Sequence, residues 1–272
     1  MQSWVDGRSS DALSSLKDRG LAYGDGLFET IAVKAGKPLL LELHLQRLMG
    51  GCARLAIAAD QSLIRSELLA YAQAMGEGVL KLILTRGDSL RGYSVTPEAQ
   101  PRRILQASPM AAYPSAYAQQ GVELFDCATR LAEQPLLAGL KHLNRLEQVL
   151  ARSEWQDPVY AEGLMRDTSG RIIEGVFSNL FLVQNGQLIT ADLHRCGVAG
   201  VMRAALLAEA ERLAIPCVVS DISRQQLQQA DEVFLCNSVY GIWPVRGFAE
   251  LSWPVGPLTR KLQGIARTLL DV

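Results

Sequence analysis

Apolar residues in the first part of the chain switch between the two-residue spacing of strands and the wider spacing of helices. Side chains alternate along a strand, so residues 27–33 would place Phe28, Thr30 and Ala32 on one face. In residues 42–55, leucine and cysteine recur along one helical stripe. The pattern predicts strands at residues 27–33, 38–41, 78–86 and 103–107, and helices at residues 42–55 and 61–75.

The periodic pattern breaks between residues 108 and 120, where two prolines and several small residues follow no spacing. We expect a linker at residues 108–120, and therefore an N-terminal domain of residues 1–107 and a C-terminal domain of residues 121–272. Beyond the linker, the pair Asn185-Gly186 is a strong signal for a tight hairpin. The later strands are predicted at residues 122–126, 158–166, 171–183 and 232–236, and the helices at residues 197–213, 223–229 and 257–270.

Length and composition narrow the class of protein. At 272 residues the chain suits one large or two medium domains. The formal net charge is −1 and there is no long basic block, which argues against nucleic acid as a partner. The first residues lack the build of a signal peptide, and no apolar stretch reaches the roughly 18 residues of a membrane span. The cysteines form no C-x-x-C pair, so neither zinc nor a disulfide framework is indicated, and we expect a cytoplasmic protein with reduced thiols.

One lysine, Lys141, lies where an apolar segment meets the predicted start of a helix. Three leucines precede it within residues 136–140, and leucines at positions 143, 146 and 150 continue as a helical stripe. We therefore expect Lys141 to be half-buried, where low dielectric disfavours the ammonium form. A neutral amine is a nucleophile toward aldehydes. Spacing alone favours the plainer alternative, a surface lysine at a helix end, because most lysines are exposed.

Two glycine-containing segments carry candidate anion-binding groups. Arg86 and Arg91 lie on a loop at residues 86–94, and arginine pairs with a carboxylate through two hydrogen bonds. Residues 197–203 contain two glycines and begin a predicted helix. Backbone amides at such a helix start bind phosphate well. The plainer alternatives are solvated arginines on the loop and an ordinary glycine cap at the helix.

Several segments resemble those of the fold-type IV pyridoxal-phosphate enzymes. Residues 141–152, K-H-L-N-R-L-E-Q-V-L-A-R, resemble the lysine segment of that family, and they look like the aminodeoxychorismate lyases within it more than the branched-chain or D-alanine aminotransferases. The resemblance covers the whole chain and is most specific in this segment. The other matching segments are Y-G-D-G-L-F-E-T at residues 23–30, H-L-Q-R-L at residues 44–48, the arginine–glycine loop at residues 86–94, E-G-V-F-S-N-L-F at residues 174–181 and G-V-A-G-V-M-R at residues 197–203.

The resemblance implies a fold of two α/β domains with pyridoxal 5'-phosphate in the cleft between them. It implies that Lys141 bonds the cofactor as a Schiff base and moves the substrate proton, while Glu174 keeps the pyridinium nitrogen protonated. Thr30 is implied to face the cofactor and to donate to the leaving pyruvate. The implied phosphate ligands are Arg47, Val198, Ala199, Gly200 and Ser238. The implied substrate contacts are Arg86, Arg91, Tyr93 and Asn237.

The reaction that the resemblance implies is conversion of 4-amino-4-deoxychorismate to 4-aminobenzoate and pyruvate, a step of folate biosynthesis. It also implies a homodimer acting on a small molecule. The sequence has no metal-ligand cluster, and its charge and hydropathy argue against nucleic acid or a membrane as a partner. One alternative is a branched-chain or D-amino acid aminotransferase, because a fold does not determine a reaction. Another is a non-catalytic binding protein that kept the fold. The presence of Lys141, Glu174 and Arg47 together argues against this second alternative.

Overall fold

The computed structural model describes residues 2–10, 15–89, 92–95 and 99–271, and these residues form two compact units. Within those ranges, the first unit is Met1–Ala111 with Leu140–Asn144 and Asp271–Val272, and the second is Ala112–Gly139 with Arg145–Leu270. The first boundary lies a few residues beyond the predicted one. The larger difference is that Leu140–Asn144, the lysine segment, groups with the first unit, whereas we expected it in the C-terminal domain.

The first unit is built on an antiparallel sheet. Its elements are β1 (Trp4–Val5), β2 (Arg8–Ser9), α1 (Arg19–Tyr23), β3 (Gly26–Lys34), β4 (Lys37–Pro38), α2 (Leu41–Leu55), α3 (Gln61–Met75), β5 (Gly78–Thr85) and β6 (Arg102–Ser108). Among the described residues the strand order is β2-β1-β6-β5-β3-β4, and β5 pairs with β3 along the whole length of β5. Alternate residues of β3 and β5, including Leu27, Ile31 and Leu82, are buried on one face together with the leucine stripe of α2.

Local sequence signals account for the helix limits in this unit. Helix α3 spans the predicted residues, and Asp60 begins it because its carboxylate accepts hydrogen bonds from the amides of Ser62 and Leu63 at 2.8 and 3.1 Å. The strand predicted at residues 38–41 is wrong beyond Pro38. Leu40 turns the chain with a φ of 53°, and α2 begins at the next residue.

The second unit is built on a mixed sheet. Its elements are α4 (Ser115–Gln120), β7 (Val122–Leu131), α5 (Leu146–Ser153), β8 (Tyr160–Asp167), β9 (Ile172–Gly175), β10 (Asn179–Gln184), β11 (Gln187–Ala191), α6 (Val201–Arg212), β12 (Cys217–Ser220), α7 (Arg224–Gln228), β13 (Glu232–Asn237), β14 (Gly241–Phe248), β15 (Leu251–Ser252) and α8 (Pro257–Leu270). Among the described residues the order is β12-β11-β10-β13-β14-β7-β8-β9, and β15 pairs with β14. The core of this unit includes Leu164, Leu180, Leu235 and Val245, which are fully buried.

Two predictions in this unit have different outcomes. The hairpin at Asn185-Gly186 is confirmed, because both residues have the positive φ (50° and 75°) of a type I′ turn between β10 and β11. The single strand predicted at residues 171–183 is wrong, because residues 176–178 form a turn that separates β9 from β10. The segment predicted as linker also contains α4, which belongs to the second unit.

The helix after the lysine begins later than the leucine stripe indicated. Helix α5 starts at Leu146, so Lys141 lies in an extended segment rather than at the helix start. The apolar face of α5 is also exposed in the single chain: 75% of Leu146, 60% of Val149 and 58% of Leu150 are accessible. Throughout the described ranges, no helix has the length and apolar character that crossing a membrane requires.

Candidate active site

The segment that carries Lys141 is attached to the first residues of β3. The amide of Phe28 donates to the carbonyl of Lys141 at 2.9 Å, and the amide of Leu143 donates to the carbonyl of Gly26 at 3.1 Å. Lys141 is half-buried, as we expected, and its Nζ lies 4.3 Å from the centroid of the Phe28 ring. Because Thr30 is two residues beyond Phe28, its hydroxyl shares that face of β3. The predicted nucleophile and proton donor are therefore both on or against this strand.

Two glycines, Gly24 before β3 and Gly26 at its first position, allow the lysine segment to approach. A Cβ atom on Gly26 would lie 2.4 Å from the carbonyl oxygen of Leu84 and 2.9 Å from the side chain of Leu143. A Cβ on Gly24, where φ is 65°, would lie 2.5 Å from the side-chain oxygen of Asn144. Gly26 must be glycine because the backbone of β5 passes close to it, and Gly24 because its φ is positive and the Asn144 side chain lies against it. The loop therefore serves close packing around Lys141.

The opposite face of β3 holds a buried acid–base cluster. Glu29 is 2% exposed, and its carboxylate accepts from Arg47 Nε at 2.8 Å, from Arg47 Nη2, and from His44 Nδ1 at 2.6 Å. Burial alone would raise the pKa of Glu29, but the charge and hydrogen bonds of Arg47 and His44 outweigh it and lower the pKa to about 2. Burial lowers the pKa of His44, while the hydrogen bond and the charge of Glu29 act in the opposite direction. The predicted phosphate ligand Arg47 is therefore oriented by Glu29.

In the second unit, Glu174, the predicted partner of the pyridinium nitrogen, lies against residues 197–200, the predicted phosphate loop. Glu174 is 4% exposed, and its Oε2 accepts from the amide of Val198 at 2.9 Å and from Asn179 Nδ2 at 3.3 Å. Asn179 Nδ2 also donates to the carbonyl of Val198 at 2.8 Å. A Cβ on Gly200 would lie 1.9 Å from Asn179 Oδ1, so only glycine lets the loop close on this amide. The structure thus brings Glu174, Val198 and Gly200 together through Asn179.

The phosphate loop ends at the first turn of α6. Gly200 is the N-cap residue of this helix, so the helix start presents backbone amides to an anion. The amide of Ala199 donates to the carbonyl of Gly139 at 3.0 Å. The amide of Gly139 in turn donates to the carbonyl of Gly197 at 2.9 Å. These bonds fix the path of residues 197–199 within the unit.

The turn that follows Glu174 is held by a buried carboxylate, Glu162. Its two oxygens accept from the amides of Gly163, Val176 and Phe177 at 2.9, 3.0 and 3.2 Å and from the hydroxyl of Ser178 at 2.6 Å. Burial raises the pKa of Glu162 to about 7, and the four donors act in the opposite direction. Glu162 therefore holds the turn between β9 and β10. Its hydrogen bonds help to position Glu174 before the turn and the first residue of β10 after it.

The predicted substrate contacts have unequal surroundings. Arg86 is 7% exposed, and its guanidinium donates twice to Asp25, at 2.8 and 3.0 Å, and to the carbonyls of Leu55 and Ala56, each at 2.7 Å. Tyr93 is 85% exposed and lies on the loop. Arg91 lies outside the described residues.

The two predicted residues at the end of β13 are neighbours: Asn237 is the last residue of the strand and Ser238 begins the turn that follows it. Asn237 Oδ1 accepts from the amides of Val239 and Tyr240 at 2.9 and 3.0 Å, so the side chain holds the turn. Ser238 is half-buried in the same turn. In the described part of the chain, no cluster of three or more histidine, cysteine or acidic side chains is arranged to hold a metal ion.

Sequence reasoning missed Glu29, Glu162 and Asn179, although each carries a recognisable signal. Glu29 and Glu162 are ionisable residues in strands, at positions that are buried in the fold. An acid at such a position requires donors, so it indicates a buried polar network. Asn179 was part of the motif at residues 174–181, but the pattern alone did not indicate that its amide joins two other site segments.

The chain belongs to the class IV aminotransferase family, because the family described as "Amino-transferase class IV" matches residues 26–248. The predicted fold-type IV architecture, with two α/β domains, is thereby confirmed. Over 270 residues, the chain is 34% identical to the aminodeoxychorismate lyase of Vibrio harveyi, covering 97% of this chain and 99% of that protein.

Two solved structures extend the comparison. A 4-amino-4-deoxychorismate lyase from Pseudomonas aeruginosa has 63% identity and a TM-score of 0.97, covering 99% of this chain and 100% of that one. A branched-chain amino acid aminotransferase from Escherichia coli has 25% identity and a TM-score of 0.82, covering 96% of this chain and 92% of that one. Both the lyase and the aminotransferase therefore share the fold, and the lyase is far more similar in sequence.

Proposed function

We propose that this protein is a pyridoxal-phosphate-dependent aminodeoxychorismate lyase, which converts 4-amino-4-deoxychorismate to 4-aminobenzoate and pyruvate for folate synthesis. The observation that carries the proposal is the likeness at 63% identity, over nearly the whole of both chains, to a structure described as that lyase. The aminotransferases that were compared match at 29% identity or less. The local geometry supports the proposal because the aldehyde, the phosphate and the pyridinium nitrogen of the cofactor each have a partner of suitable chemistry among these residues.

The residues fit pyridoxal phosphate in charge and in donor type. The first unit offers the half-buried amine of Lys141 for the aldehyde and the guanidinium of Arg47 for the phosphate. The second unit offers the buried carboxylate of Glu174 for the pyridinium nitrogen and the amides at the start of α6 for the phosphate. When bound, the cofactor supplies an electron sink for the charge left on the substrate carbon.

Within this proposal, Lys141 has two tasks. Its Nζ would hold the cofactor through the aldehyde, and the same amine would take the proton from the amine-bearing ring carbon of the substrate. The aromatic face of Phe28 next to Nζ limits the water around the amine. Thr30 Oγ1 donates to the oxygen of the leaving pyruvate, and its place on the same face of β3 supports that role. Loss of pyruvate makes the ring aromatic, so the protein mainly aligns groups and moves protons.

The remaining predicted residues divide into those that contact ligands and those that support them. We assign Arg47, Ser238 and the loop of Val198, Ala199 and Gly200 to the phosphate. We assign Arg91 and Tyr93 to the substrate carboxylates. The hydrogen bonds of Arg86 and Asn237 to their own unit favour a supporting role for both, at the base of the loop and in the turn after β13.

The homodimer and the cytoplasmic location stay predictions. Support for a dimer comes from the second unit. Leu146, Val149 and Leu150 of α5 are exposed, and so is Leu136, which precedes the helix. Exposed apolar side chains that share one face of a helix indicate a protein interface. We therefore propose that this face of α5 packs against a second copy of the chain.

Two measurements test the proposed function. The purified protein should convert aminodeoxychorismate to 4-aminobenzoate and pyruvate, detected by chromatography, and should transfer amino groups to keto acids poorly. Borohydride treatment followed by peptide mapping should find the cofactor on Lys141. Lys81 is an internal control, since its Nζ lies 5.4 Å from the same Phe28 ring. Efficient transamination without lyase turnover would instead favour the aminotransferase, and a label on Lys81 would remove Lys141 from its assigned role.

A further inference from the structure

The loop that bears the predicted substrate contacts is attached to a buried arginine that the sequence motifs did not single out. Arg19 opens α1 and is only 4% exposed, which is unusual for arginine unless its donors are paired. Its main-chain amide already donates to the carbonyl of Gly87 at 2.9 Å. Both the backbone and the side chain of this residue are therefore directed at the segment after β5.

The guanidinium of Arg19 gathers three consecutive carbonyl groups. Its Nη1 donates to the carbonyls of Gly92 at 3.0 Å and Ser94 at 3.2 Å, and its Nη2 donates to the carbonyl of Tyr93 at 3.2 Å. Nη1 also donates to the hydroxyl of Ser89 at 3.2 Å. A planar fork with five donors can hold acceptors in several directions at once, which an ammonium group on a flexible chain cannot do in the same way.

A single carboxylate connects this arginine to the base of the loop. Asp25 Oδ2 accepts from Arg19 Nε at 2.8 Å and from Arg86 Nε at 2.8 Å. Arg86 is the residue directly after β5. Its guanidinium donates to the carbonyl of Leu55, which ties it to the end of α2. Arg19 and Arg86 therefore hold the two parts of the loop through Asp25, and the three side chains lie in the same unit.

The aromatic contacts follow the same arrangement. The guanidinium of Arg19 lies 5.1 Å from the centroid of the Tyr23 ring, and that ring lies 5.4 Å from the ring of Tyr93. Tyr93 thus has its carbonyl bound by Arg19 and its ring against Tyr23, although most of its side chain is exposed. An exposed side chain on a fixed backbone is ready to contact a ligand without a large ordering cost.

We propose that Arg19 is a positioning residue for the substrate, which fixes the backbone of residues 92–94 and so presents Tyr93 to the substrate carboxylates. This inference rests on the proposed function, since it names how the loop of that site is held. Arg19 itself is not offered to the substrate, because it is only 4% exposed and its guanidinium already donates to Asp25, Ser89 and the three carbonyls. Its removal should therefore weaken substrate binding and leave the proton transfers at Lys141 unchanged.

The test compares Arg19→Ala and Arg19→Lys with a matched control, Arg103→Ala. Arg103 is also a partly buried arginine of the first unit, and it donates twice to Glu67 at 2.8 and 3.0 Å but not to the loop carbonyls. Arg19→Lys keeps a positive charge beside Asp25, so it tests the inference even if Arg19→Ala does not fold. For each variant we would measure KM and kcat with aminodeoxychorismate and amide hydrogen exchange of a peptide covering residues 87–95.

We expect both Arg19 variants to raise KM about tenfold, the loss of roughly one charge-assisted hydrogen bond, with kcat within about twofold of the wild type. The peptide at residues 87–95 should exchange faster in both, and neither change should occur in Arg103→Ala. Unchanged KM and exchange in Arg19→Lys, or equal changes in the Arg103 control, would overturn the inference. If the wild type does not turn over aminodeoxychorismate, the proposed function fails, while the exchange comparison still decides whether Arg19 holds the loop.

Discussion

Glu29 on β3 and Arg47 on α2 form a two-point ion pair, in which Nε and Nη2 of the arginine each donate to one carboxylate oxygen. The glutamate is 2% exposed, and only 13% of the arginine side chain is accessible. A planar guanidinium paired in this way has a defined plane and direction. We infer that the direction in which Arg47 meets a phosphate is set by a strand residue on the far side of the sheet from Thr30.

The first prediction concerns the stability that this pair provides. Glu29→Gln removes the charge that Arg47 faces in a buried site, and breaking such a pair from one side costs about 3 kcal/mol of unfolding free energy. Urea titration followed by circular dichroism measures this loss. Glu42→Gln is the matched control, because Glu42 on α2 also pairs with an arginine, Arg65 on α3, but is exposed. Its loss should leave the midpoint unchanged. Equal midpoints for the wild type and Glu29→Gln would contradict the assignment.

The second prediction is the pH dependence of the same difference. The folded chain lowers the pKa of Glu29 from 4.5 to about 2, so the unfolded chain takes up the proton first as the pH falls. The stabilisation is therefore fully present above about pH 4.5 and is lost as the pH falls toward 2. The gap in unfolding free energy between the wild type and Glu29→Gln should narrow steadily in urea titrations from pH 5 to pH 3. A gap that stays constant over this range would mean that the glutamate is not held ionised by Arg47 and His44.

Helix limits and one hairpin could be read from the sequence because their signals are local. Helix α8 begins at Pro257, which suits a first helical turn, and α3 begins after Asp60, whose carboxylate caps it. The Asn185-Gly186 turn has the positive φ values that its two residues tolerate. In each case the residues that decide the structure are within a few positions of it.

The errors arise where a distant group decides the local structure. Lys141 precedes a helical leucine pattern, but its carbonyl accepts from Phe28 on β3, so the backbone there is extended. The strand predicted at residues 171–183 is interrupted because Glu162, on β8, draws three donors of residues 176–178 to its carboxylate. Both partners lie far away along the chain. A single sequence gives no measure of such pairings.

The third prediction tests the contact between Asn179 and the phosphate loop. In Gly200→Ala the new Cβ would lie 1.9 Å from Asn179 Oδ1, so the amide must move away from Glu174 and Val198. We expect the affinity for pyridoxal phosphate, followed by its absorbance during titration, to fall about tenfold for the loss of one hydrogen bond to a charged group.

A second glycine provides the control for this substitution. Gly264 lies inside α8, and a Cβ there would meet nothing within 4 Å, so Gly264→Ala should keep the cofactor affinity and stabilise the helix by up to about 1 kcal/mol. Asn179→Ala should lower the affinity as Gly200→Ala does. If Gly200→Ala bound the cofactor as well as Gly264→Ala, the closure of the loop on Asn179 would have no part in cofactor binding.

The last prediction concerns the exposed face of α5. Leu146, Val149 and Leu150 are three and four residues apart, so they share one face of the helix, and each is more than half exposed in the single chain. Leu136, also in the second unit, is 78% exposed. A charge placed in an apolar interface is costly because it loses water without gaining a partner. Val149→Asp should therefore convert the proposed dimer into monomers, measured as mass by light scattering over a range of protein concentrations.

The control for this change is Leu69→Asp, because Leu69 is an exposed leucine of α3 in the first unit, 44% accessible, and lies outside the proposed interface. It should leave the mass unchanged. The far-ultraviolet spectrum of both variants checks that the fold is retained. If the wild type is a monomer at assay concentration with full lyase turnover, no dimer is needed. If Val149→Asp keeps the dimeric mass, the copies meet through another surface, and the exposed leucines of α5 need a different explanation.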